Sequence, residues 1–375
     1  MKVYKTYKIR LLPTKEQEQL MWRHIGACRF IWNWGLNIQE TLFHQNKQKL
    51  SCFDLIKKLP DLKKEKEYEW LQDMSNATLQ ITLKDLDKAY SNFFKGSGVP
   101  KYKKKKDKKQ SFPLRNDATY FDENMVTIPK IGRMTFQTNY IVLNKSSKIY
   151  NPRICYVNYK WILTIKIKCE TQAHKQTGKS MGIDLGVKDL CNVAFGEKNI
   201  VVPNINKTNR IKKKERKLKR LQRKVSRKYR QNGNYDKTKN ILKVEQQIKK
   251  LYYHISCIRE NHIHQTTHML ISKQPDKVVM EDLKVRNMMK NHCLAKVIQE
   301  QCFYEFRRQM QYKCEWNGIE FVLADRFYPS SKTCSNCGNI KKDLKLSDRT
   351  YRCSECGLVI DRDYNAAINL MKYAE

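Results

Sequence analysis

Hydrophobic and polar positions along the chain change their spacing several times, and each change marks a predicted boundary. Residues 4–13 alternate apolar and polar side chains up to a proline, which predicts a short strand, and Thr14 can cap a following helix. From Lys15 to about Phe94, apolar residues recur at helical spacing among charged ones. This pattern predicts a helical region, and three turn-forming residues close it: Gly96, Gly98 and Pro100.

The segment between about residues 99 and 172 has a strand-like pattern. Short runs rich in β-branched and aromatic residues, among them 141–144, are separated there by glycine, proline and asparagine. They predict an antiparallel sheet or a small barrel, which the N-terminal strand can join. The polar stretch 171–180 then separates this region from a new domain.

The remaining chain mixes strands with helices, which favours an α+β multidomain protein. Residues 179–195 are predicted to form one apolar strand interrupted by an aspartate. Two long helices are predicted from Ile211 to about Ser272, with a break near residues 231–236. Further elements are a buried strand at 276–285, a helix at 291–318, a strand at 319–327 and a last helix that starts at Asp363.

Charge narrows the choice of partner. The chain has 75 Lys and Arg against 37 Asp and Glu, a formal charge of +38, which points to a polyanion and first of all to nucleic acid. No apolar run approaches the length of a membrane span, and the first residues lack the apolar core of a secretory signal. We therefore expect a cytoplasmic protein without a membrane partner, whose cysteines are thiols or metal ligands.

Two segments concentrate the positive charge. Residues 101–109 contain seven lysines, and residues 212–230 contain twelve Lys or Arg with Glu215 as the one acid. Such runs are usually solvated faces, but at a charge of +38 self-repulsion favours contact with a nucleic-acid backbone. The predicted backbone contacts are Lys103, Lys104, Lys105, Lys106, Lys212, Lys213, Lys214, Arg216, Lys219, Arg220 and Arg223.

Four of the thirteen cysteines form two knuckles with the pattern C-x2-C-x15-C-x2-C. They are Cys334, Cys337, Cys353 and Cys356. This spacing is typical of a zinc ribbon, and four cysteine ligands indicate one structural rather than catalytic Zn²⁺. The nine other cysteines are scattered singly and are predicted to be buried thiols.

Three acids lie in or beside apolar segments: Asp184, Glu281 and Asp363. An acid in such a segment is costly unless a metal, a proton or a cation compensates it. If the two strands are neighbours and the last helix packs over them, the three carboxylates converge and can hold two Mg²⁺ ions about 3.5 to 4 Å apart for phosphodiester hydrolysis.

Each acid also has an ordinary interpretation. Asp184 can be a turn residue, Glu281 a solvated strand end, and Asp363 a helix cap. From spacing alone, Asp282 or Asp361 can equally take the place of its neighbour.

Three other features stay open. His264 and His268 lie one helical turn apart, which suits exposed histidines better than a metal site. The segment 326–332 carries Arg326, Ser330, Ser331 and Lys332, which either contact phosphate or shape the loop that enters the ribbon. Aromatic residues of the first helical region can stack on bases, but core packing is the better expectation.

Five motifs in order carry a resemblance to a known family. GIDLGVKDL (182–190), VVMEDLKV (278–285), FYPSSKTCSNCG (327–338), YRCSECG (351–357) and DRDYNAAINL (361–370) resemble the TnpB proteins of bacterial and archaeal insertion sequences, formerly called OrfB transposases. Residues 7–33 and 83–112 look like the N-terminal region of the same family, so the resemblance covers nearly the whole chain.

The resemblance implies an RNA-guided DNA endonuclease related to the type V CRISPR effectors. Its catalytic domain would be RuvC-like, with an RNase H-like fold that the zinc ribbon interrupts. The family's three catalytic acids, which hold Mg²⁺, fall on Asp184, Glu281 and Asp363, and none of them is missing. Cleavage is therefore the expected activity.

The resemblance also implies a domain arrangement and partners. The expected domains are a wedge β-barrel (1–12 and 99–172), a helical recognition lobe (13–98), a RuvC-like nuclease domain (178–333 and 358–375) with a basic helical hairpin (211–272), and the zinc ribbon (334–357). The expected partners are a guide RNA from the element's end and a double-stranded DNA target beside a short flanking motif, bound by a monomer.

Two alternative functions remain. A guided DNA-binding repressor would bind RNA and target without cleavage, and an accessory transposase would join DNA ends. A dependence of function on magnesium distinguishes a nuclease from the repressor. DNA products with free cut ends distinguish a nuclease from the transposase, whose products are joined.

Overall fold

The computed structural model describes residues 2–46, 50–107, 110–138, 143, 147–170, 176–233, 237–345 and 347–373. The chain divides into two compact units, Lys2–Cys169 and Glu170–Glu375. Within the described residues, no helix has both the length and the apolar character needed to cross a membrane.

The first unit contains the predicted helical region, which is divided into several pieces. Thr14 caps the first helix, since its hydroxyl accepts from the amide of Gln17 and the Gln17 side chain accepts from the amide of Thr14. The helices are α1 (Lys15–Asn46), α2 (Cys52–Lys57), α3 (Leu59–Lys64) and α4 (Asn76–Phe94), with a 3-10 helix at Lys66–Asp73.

A seven-stranded sheet completes the first unit. Its strands are β1 (Lys2–Leu12), β2 (Gln110–Pro113), β3 (Tyr120–Asp122), β4 (Met125–Ile128), β5 (Gly132–Gln137), β6 (Ile149–Val157) and β7 (Lys160–Glu170). The order is β2-β6-β7-β1-β5-β4-β3, so the N-terminal strand joins the sheet as predicted. Within the described residues β2 and β3 are its edges, and a closed barrel stays a prediction. Most of the predicted strand 141–144 lies outside the described residues.

The second unit is built on a five-stranded sheet in the order β10-β9-β8-β11-β12. Its strands are β8 (Ser180–Leu185), β9 (Asp189–Phe195), β10 (Lys198–Pro203), β11 (Lys277–Glu281) and β12 (Glu320–Ala324), and a separate hairpin consists of β13 (Thr350–Arg352) and β14 (Val359–Asp361). Strands β8, β11 and β12 are parallel, and β9 and β10 are antiparallel to their neighbours.

The prediction of one strand over residues 179–195 is wrong. The chain turns between β8 and β9, where the amide of Gly186 donates to the carbonyl of Leu190 over 3.2 Å, and the two halves pair as an antiparallel hairpin. The segments on both sides of the three-residue turn are apolar. Their hydrophobic pattern therefore resembles that of one long buried strand, which explains the error.

Helices follow and connect the strands of the second unit. They are α5 (Asn209–Gln231), α6 (Lys239–Ile271), α7 (Val285–Met288), α8 (His292–Gln301), α9 (Phe303–Asn317) and α10 (Arg362–Lys372). The predicted pair of long helices is confirmed as α5 and α6. The single helix predicted over 291–318 is wrong, because Cys302 takes a left-handed conformation (φ 55°) between α8 and α9. Gln301 is buried at that break and donates to the carbonyl of Gly186.

Candidate active site

Two adjacent parallel strands place Asp184 and Glu281 side by side. Met280 of β11 is paired with Ile183 of β8, so the next residue of each strand is an acid. Both acids lie at the carboxyl ends of their strands, and both are partly buried. Asp184 and Glu281, two of the three predicted acids, are therefore neighbours where the parallel strands β8 and β11 end.

Helix α10 brings the third acid to the same edge. It packs directly on β8, where a Cβ added to Gly182 would lie 2.0 Å from the carbonyl oxygen of Ala367 and 2.3 Å from the amide nitrogen of Met371. Glycine is therefore required for this close approach. Asp363 is in the first turn of α10 and its side chain is 17% exposed.

The cap of α10 is Asp361, whose carboxylate accepts from the amides of Asp363 and Tyr364. The interpretation of Asp363 as a helix cap is thus wrong. Asp282 is also engaged elsewhere, since its two oxygens pair with Arg307 at 2.6 Å and Arg326 at 2.5 Å. Hydrogen bonds from Arg326 and Arg307 lower the pKa of Asp282.

Glu281 and Asp363 lie close enough to Asp184 to affect its ionisation. Burial raises the pKa of Asp184 well above its usual range, and the charges of Glu281 and Asp363 raise it further. Arg362 acts in the opposite direction on Asp184 and also pairs with Asp363 at 3.1 Å. A bound cation would relieve this repulsion, and a set of carboxylate oxygens suits a hard cation such as Mg²⁺.

The acids line a cleft of about 950 Å³. We call it the acid cleft: the cleft lined by Asp184, Glu281 and Asp363. Positively charged side chains also line it, namely Lys188, Lys207, Lys212, Lys332, Lys345, Arg349 and Arg362. Acids that can hold a metal and cations that can hold phosphate therefore share one cleft.

Glu281 accepts a hydrogen bond that the sequence did not reveal. The hydroxyl of Ser330 donates to Oε1 of Glu281, although Ser330 was predicted only to contact phosphate or to shape a loop. Two asparagines of α10, Asn365 and Asn369, also escaped notice, and both are buried. The sequence contained a sign of their role: two side-chain amides lie four residues apart on an otherwise apolar helix face. Such buried amides must find hydrogen-bond partners inside the protein.

The four knuckle cysteines come together as predicted. Their Sγ atoms all lie within 4.8 Å of one another, and within the described residues no other group of histidine, cysteine or acidic side chains is gathered as closely. Tetrahedral thiolate coordination suits Zn²⁺. A hydrogen bond from the side chain of Asn336 lowers the pKa of Cys356, and hydrogen bonds with the other cysteines of the cluster raise the pKa of Cys337. Each cysteine binds a metal as the thiolate.

The other cysteines only partly match the expectation of buried thiols. Cys28, Cys191 and Cys314 are buried, Cys293 is exposed, and Cys52, Cys155, Cys169, Cys257 and Cys302 are intermediate. Burial raises the pKa of the Cys28 thiol to about 11. The buried thiols are therefore protonated at neutral pH.

The predicted backbone contacts differ in their surroundings. Lys103 is held internally, because its ammonium lies 3.6 Å from the centre of the Trp32 ring and Asn33 binds its backbone. It is therefore a poorer candidate for a phosphate contact than its neighbours. Exposed candidates are Lys104, Lys105, Lys106, Lys212, Lys213, Arg216, Lys219, Arg220 and Arg223, and Lys214 is partly buried.

The remaining candidates can also be placed. His264 and His268 are exposed on α6. Arg326 pairs with Asp282, whereas Ser331 and Lys332 line the acid cleft. Among the aromatic residues of the first unit, Trp32 is 9% exposed, which fits core packing. Phe94 is 73% exposed, which fits the interpretation of stacking on bases.

Three family models match this chain. "Probable transposase" matches residues 164–292, "Cas12f1-like, TNB domain" matches residues 303–370, and "Helix-turn-helix domain" matches residues 1–48. The last description differs from the structure, in which residues 2–46 form one strand and one long helix, β1 and α1.

Curated relatives match over almost the whole chain. A "Putative RNA-guided DNA endonuclease InsQ" of Escherichia coli (strain K12) is 31% identical over 99% of this chain and 92% of its own length. A "Putative RNA-guided DNA endonuclease" of Streptomyces pristinaespiralis is 30% identical over 98% of this chain and 89% of its own length. The solved mini-RNA-guided endonuclease CRISPR-Cas_phi3 covers 99% of this chain and 92% of that chain at a TM-score of 0.48 and 10% identity. On the strength of the two curated relatives, the chain belongs to the TnpB (OrfB) family of insertion sequences.

Proposed function

We propose that this protein is a magnesium-dependent, RNA-guided DNA endonuclease of a transposable element, which cuts target DNA beside a short flanking motif. The observation that carries the proposal is the acid cleft, which three carboxylates from distant parts of the chain line together with seven cationic side chains. The names of the curated relatives support the guided nuclease activity.

The proposed catalytic domain is RuvC-like. Its support is the strand order β10-β9-β8-β11-β12, with one acid on β8, one on β11 and one on the helix that packs over them. Asp184, Glu281 and Asp363 are the proposed catalytic residues and Mg²⁺ ligands. When bound, two Mg²⁺ ions supply the Lewis acidity that phosphodiester hydrolysis needs.

The chain's own groups bind and orient the substrate. Cations that line the acid cleft contact phosphates, and Arg362 keeps Asp363 in place through its ion pair. The exposed side chains of α5 extend the basic surface along one helix, which suits a nucleic-acid backbone better than a base sequence. Sequence specificity therefore comes from the guide RNA in this proposal, and the partners are one guide RNA and one double-stranded DNA per monomer.

The cysteine cluster is proposed to bind one structural Zn²⁺, held by Cys334, Cys337, Cys353 and Cys356. The expected domain arrangement is kept as part of the proposal. Its support is the separation of the chain after Cys169, close to the predicted end of the wedge domain at residue 172.

A library cleavage experiment tests the function. The protein is co-expressed with the DNA that flanks its gene and incubated with plasmids that carry a guide-matched target beside a randomised flank, with Mg²⁺ or with chelator. Cleavage that requires Mg²⁺ and one flank motif supports the proposal. Target binding without cleavage would favour the guided repressor, and joined DNA products would favour the transposase.

Single substitutions assign the catalytic residues. Asp184→Asn, Glu281→Gln and Asp363→Asn are expected to abolish cleavage while target binding is retained. Asp282→Asn, which removes an acid paired with two arginines, is the matched control and is expected to keep cleavage. Cleavage by two of the first three variants would overturn the assignment.

A further inference from the structure

A buried serine contacts the carboxylate at the edge of the acid cleft. Ser330 is 3% exposed, and its hydroxyl donates to Oε1 of Glu281. A serine hydroxyl has a single proton to donate, so this bond sets the hydroxyl's orientation and restricts the carboxylate. Groups that hold a metal-binding carboxylate in this way raise the affinity of the site.

We propose that Ser330 is a positioning residue that holds the carboxylate of Glu281 in its metal-binding orientation, and that Asn365 and Asn369 hold Ser330 by joining its loop to α10. The inference rests on the proposed function, because it assumes that Glu281 binds a metal ion.

Two buried asparagines fix the loop that carries Ser330. The Asn369 amide donates to the carbonyls of Ser330 and Thr333, both at 2.7 Å. The Asn365 amide donates to the carbonyl of Thr333 at 2.7 Å, and its oxygen accepts from the amide of Ser335 at 3.0 Å. We call Asn365 and Asn369 the asparagine pair; they are 0% and 4% exposed.

These contacts connect two of the three acids through a short path. The asparagine pair lies on α10, the helix that carries Asp363, and Ser330 links the same loop to Glu281. Because α10 also packs on β8, the distance between the acids depends on the loop as well as on the sheet. Loss of either link would leave Glu281 less restricted without removing any acid.

The loop is also the entrance to the cysteine cluster. Residues 330–333 lead directly to Cys334, and Lys372 of α10 donates to the carbonyl of Ser335 at 2.8 Å. Within the loop, the Thr333 hydroxyl donates to the carbonyl of Pro329 at 2.9 Å. The first knuckle is thus attached to the last helix, so the ribbon's entrance supports the acid cleft in addition to holding zinc.

Iron-mediated affinity cleavage measures metal binding at the acids without DNA cleavage. Fe²⁺ with ascorbate cuts the polypeptide beside a bound ion, so fragments that end near residues 184, 281 and 363 report occupancy of the acid cleft. The full-length protein with its co-expressed RNA is titrated with Fe²⁺. Ser330→Ala is expected to need about tenfold more Fe²⁺ for half-maximal fragment yield. Ser347→Ala, at an exposed serine of the ribbon, is the matched control and is expected to behave as the unmodified protein.

A second variant covers the case in which Ser330→Ala disturbs folding. Asn369→Ala keeps the Ser330 hydroxyl but removes two donors to its loop, and it is expected to shift the Fe²⁺ requirement about threefold to tenfold. Zinc content and melting temperature are measured for both variants. If the Ser330→Ala protein loses its zinc, the Fe²⁺ requirement of the Asn369→Ala protein tests the positioning role instead.

The outcomes separate this inference from the proposed function. An unchanged Fe²⁺ requirement in a folded, zinc-containing Ser330→Ala protein overturns the positioning role. Glu281→Gln tests the function beneath it: if that variant keeps the fragment pattern of the unmodified protein, Glu281 is not a metal ligand and the proposed site itself fails. A tenfold shift in Ser330→Ala, with fragments lost in Glu281→Gln, supports both.

Discussion

Gly182 lies so close to Ala367 that any side chain at residue 182 would collide with the last helix, since a Cβ there would be 2.0 Å from the Ala367 carbonyl oxygen. The atom in the way is backbone, which cannot move without shifting α10. This contact therefore sets the position of Asp363 relative to Asp184.

Gly182→Ala is expected to displace α10 and to reduce both stability and cleavage. Overpacking against backbone should lower the free energy of unfolding by about 3 kcal/mol. Melting temperature and cleavage rate check this. Gly98→Ala is the matched control, because a Cβ at Gly98 has no neighbour within 4 Å. A Gly182→Ala protein as stable and active as the control would refute the role of this contact.

Two acids at the start of α10, the N-cap Asp361 and the first-turn residue Asp363, should respond differently to substitution. Asp361→Ala removes the helix cap and is expected to cost about 1 kcal/mol of stability while cleavage continues. Asp363→Asn should lower cleavage by more than about a hundredfold with little change in stability, since it removes a proposed metal ligand. Thermal unfolding and cleavage rates measured on both proteins test the contrast, which would fail if Asp361→Ala also lost cleavage.

The cysteine cluster should contain one zinc ion per chain. Cys337→Ser is expected to lose the zinc and to melt at a lower temperature, because metal binding contributes to folding. Cys293→Ser replaces an exposed cysteine outside the cluster and should keep the zinc. Elemental analysis of both variants gives the answer, and retained zinc in Cys337→Ser would argue against four-cysteine coordination.

Helix α5 should contribute contacts to nucleic-acid backbone. Three of its exposed arginines, Arg216, Arg220 and Arg223, are changed together to glutamine. Affinity for the guide RNA is expected to fall, and the slope of log affinity against log salt concentration should decrease by about 3. The triple arginine-to-lysine variant keeps the charge and should keep the slope. An unchanged slope in the glutamine variant would place the contacts elsewhere.

Lys313 should make stability depend on pH. Burial lowers its pKa to about 8 from the ordinary value of 10.5, so the unfolded chain binds more protons between these values. The free energy of unfolding contributed by Lys313 therefore rises as pH increases from about 8 to 10.5, by on the order of 2 kcal/mol once solvent screening of this half-buried group is included. The difference between the unmodified protein and Lys313→Met across this range isolates the effect, and a constant difference would contradict it.

Much of the site could be predicted because its residues are unusual for their surroundings. Asp184 and Glu281 interrupt or end apolar strands, and the cysteine knuckles have a spacing that few other sites share. Spacing alone did not distinguish Asp363 from Asp361 or Glu281 from Asp282. The structure shows physical differences within each pair, since Asp361 caps a helix and Asp282 pairs with two arginines.

The rest of the fold depends on contacts that a hydrophobic pattern does not contain. The turn after Leu185 occurs inside an apolar run and the break at Cys302 occurs inside a helical pattern, and periodicity predicts continuity at both places. Lys103 belongs to a lysine run, and only the position of Trp32 shows that its charge is used internally. The bond between Ser330 and Glu281 joins residues 49 positions apart, which one sequence does not reveal.

The attachment of the first knuckle to α10 also limits how the ribbon can be exchanged between related proteins. A donor ribbon inserted at residue 330 would bring a foreign loop to the asparagine pair, whose four hydrogen bonds to main-chain groups form only if the foreign backbone follows the same path. Junctions after Gly338 and before Leu358 would keep the native loop and helix and replace only the outer part of the ribbon. A chimera joined after Gly338 and before Leu358 should retain DNA cleavage. A chimera joined at residue 330 should need compensating substitutions in α10.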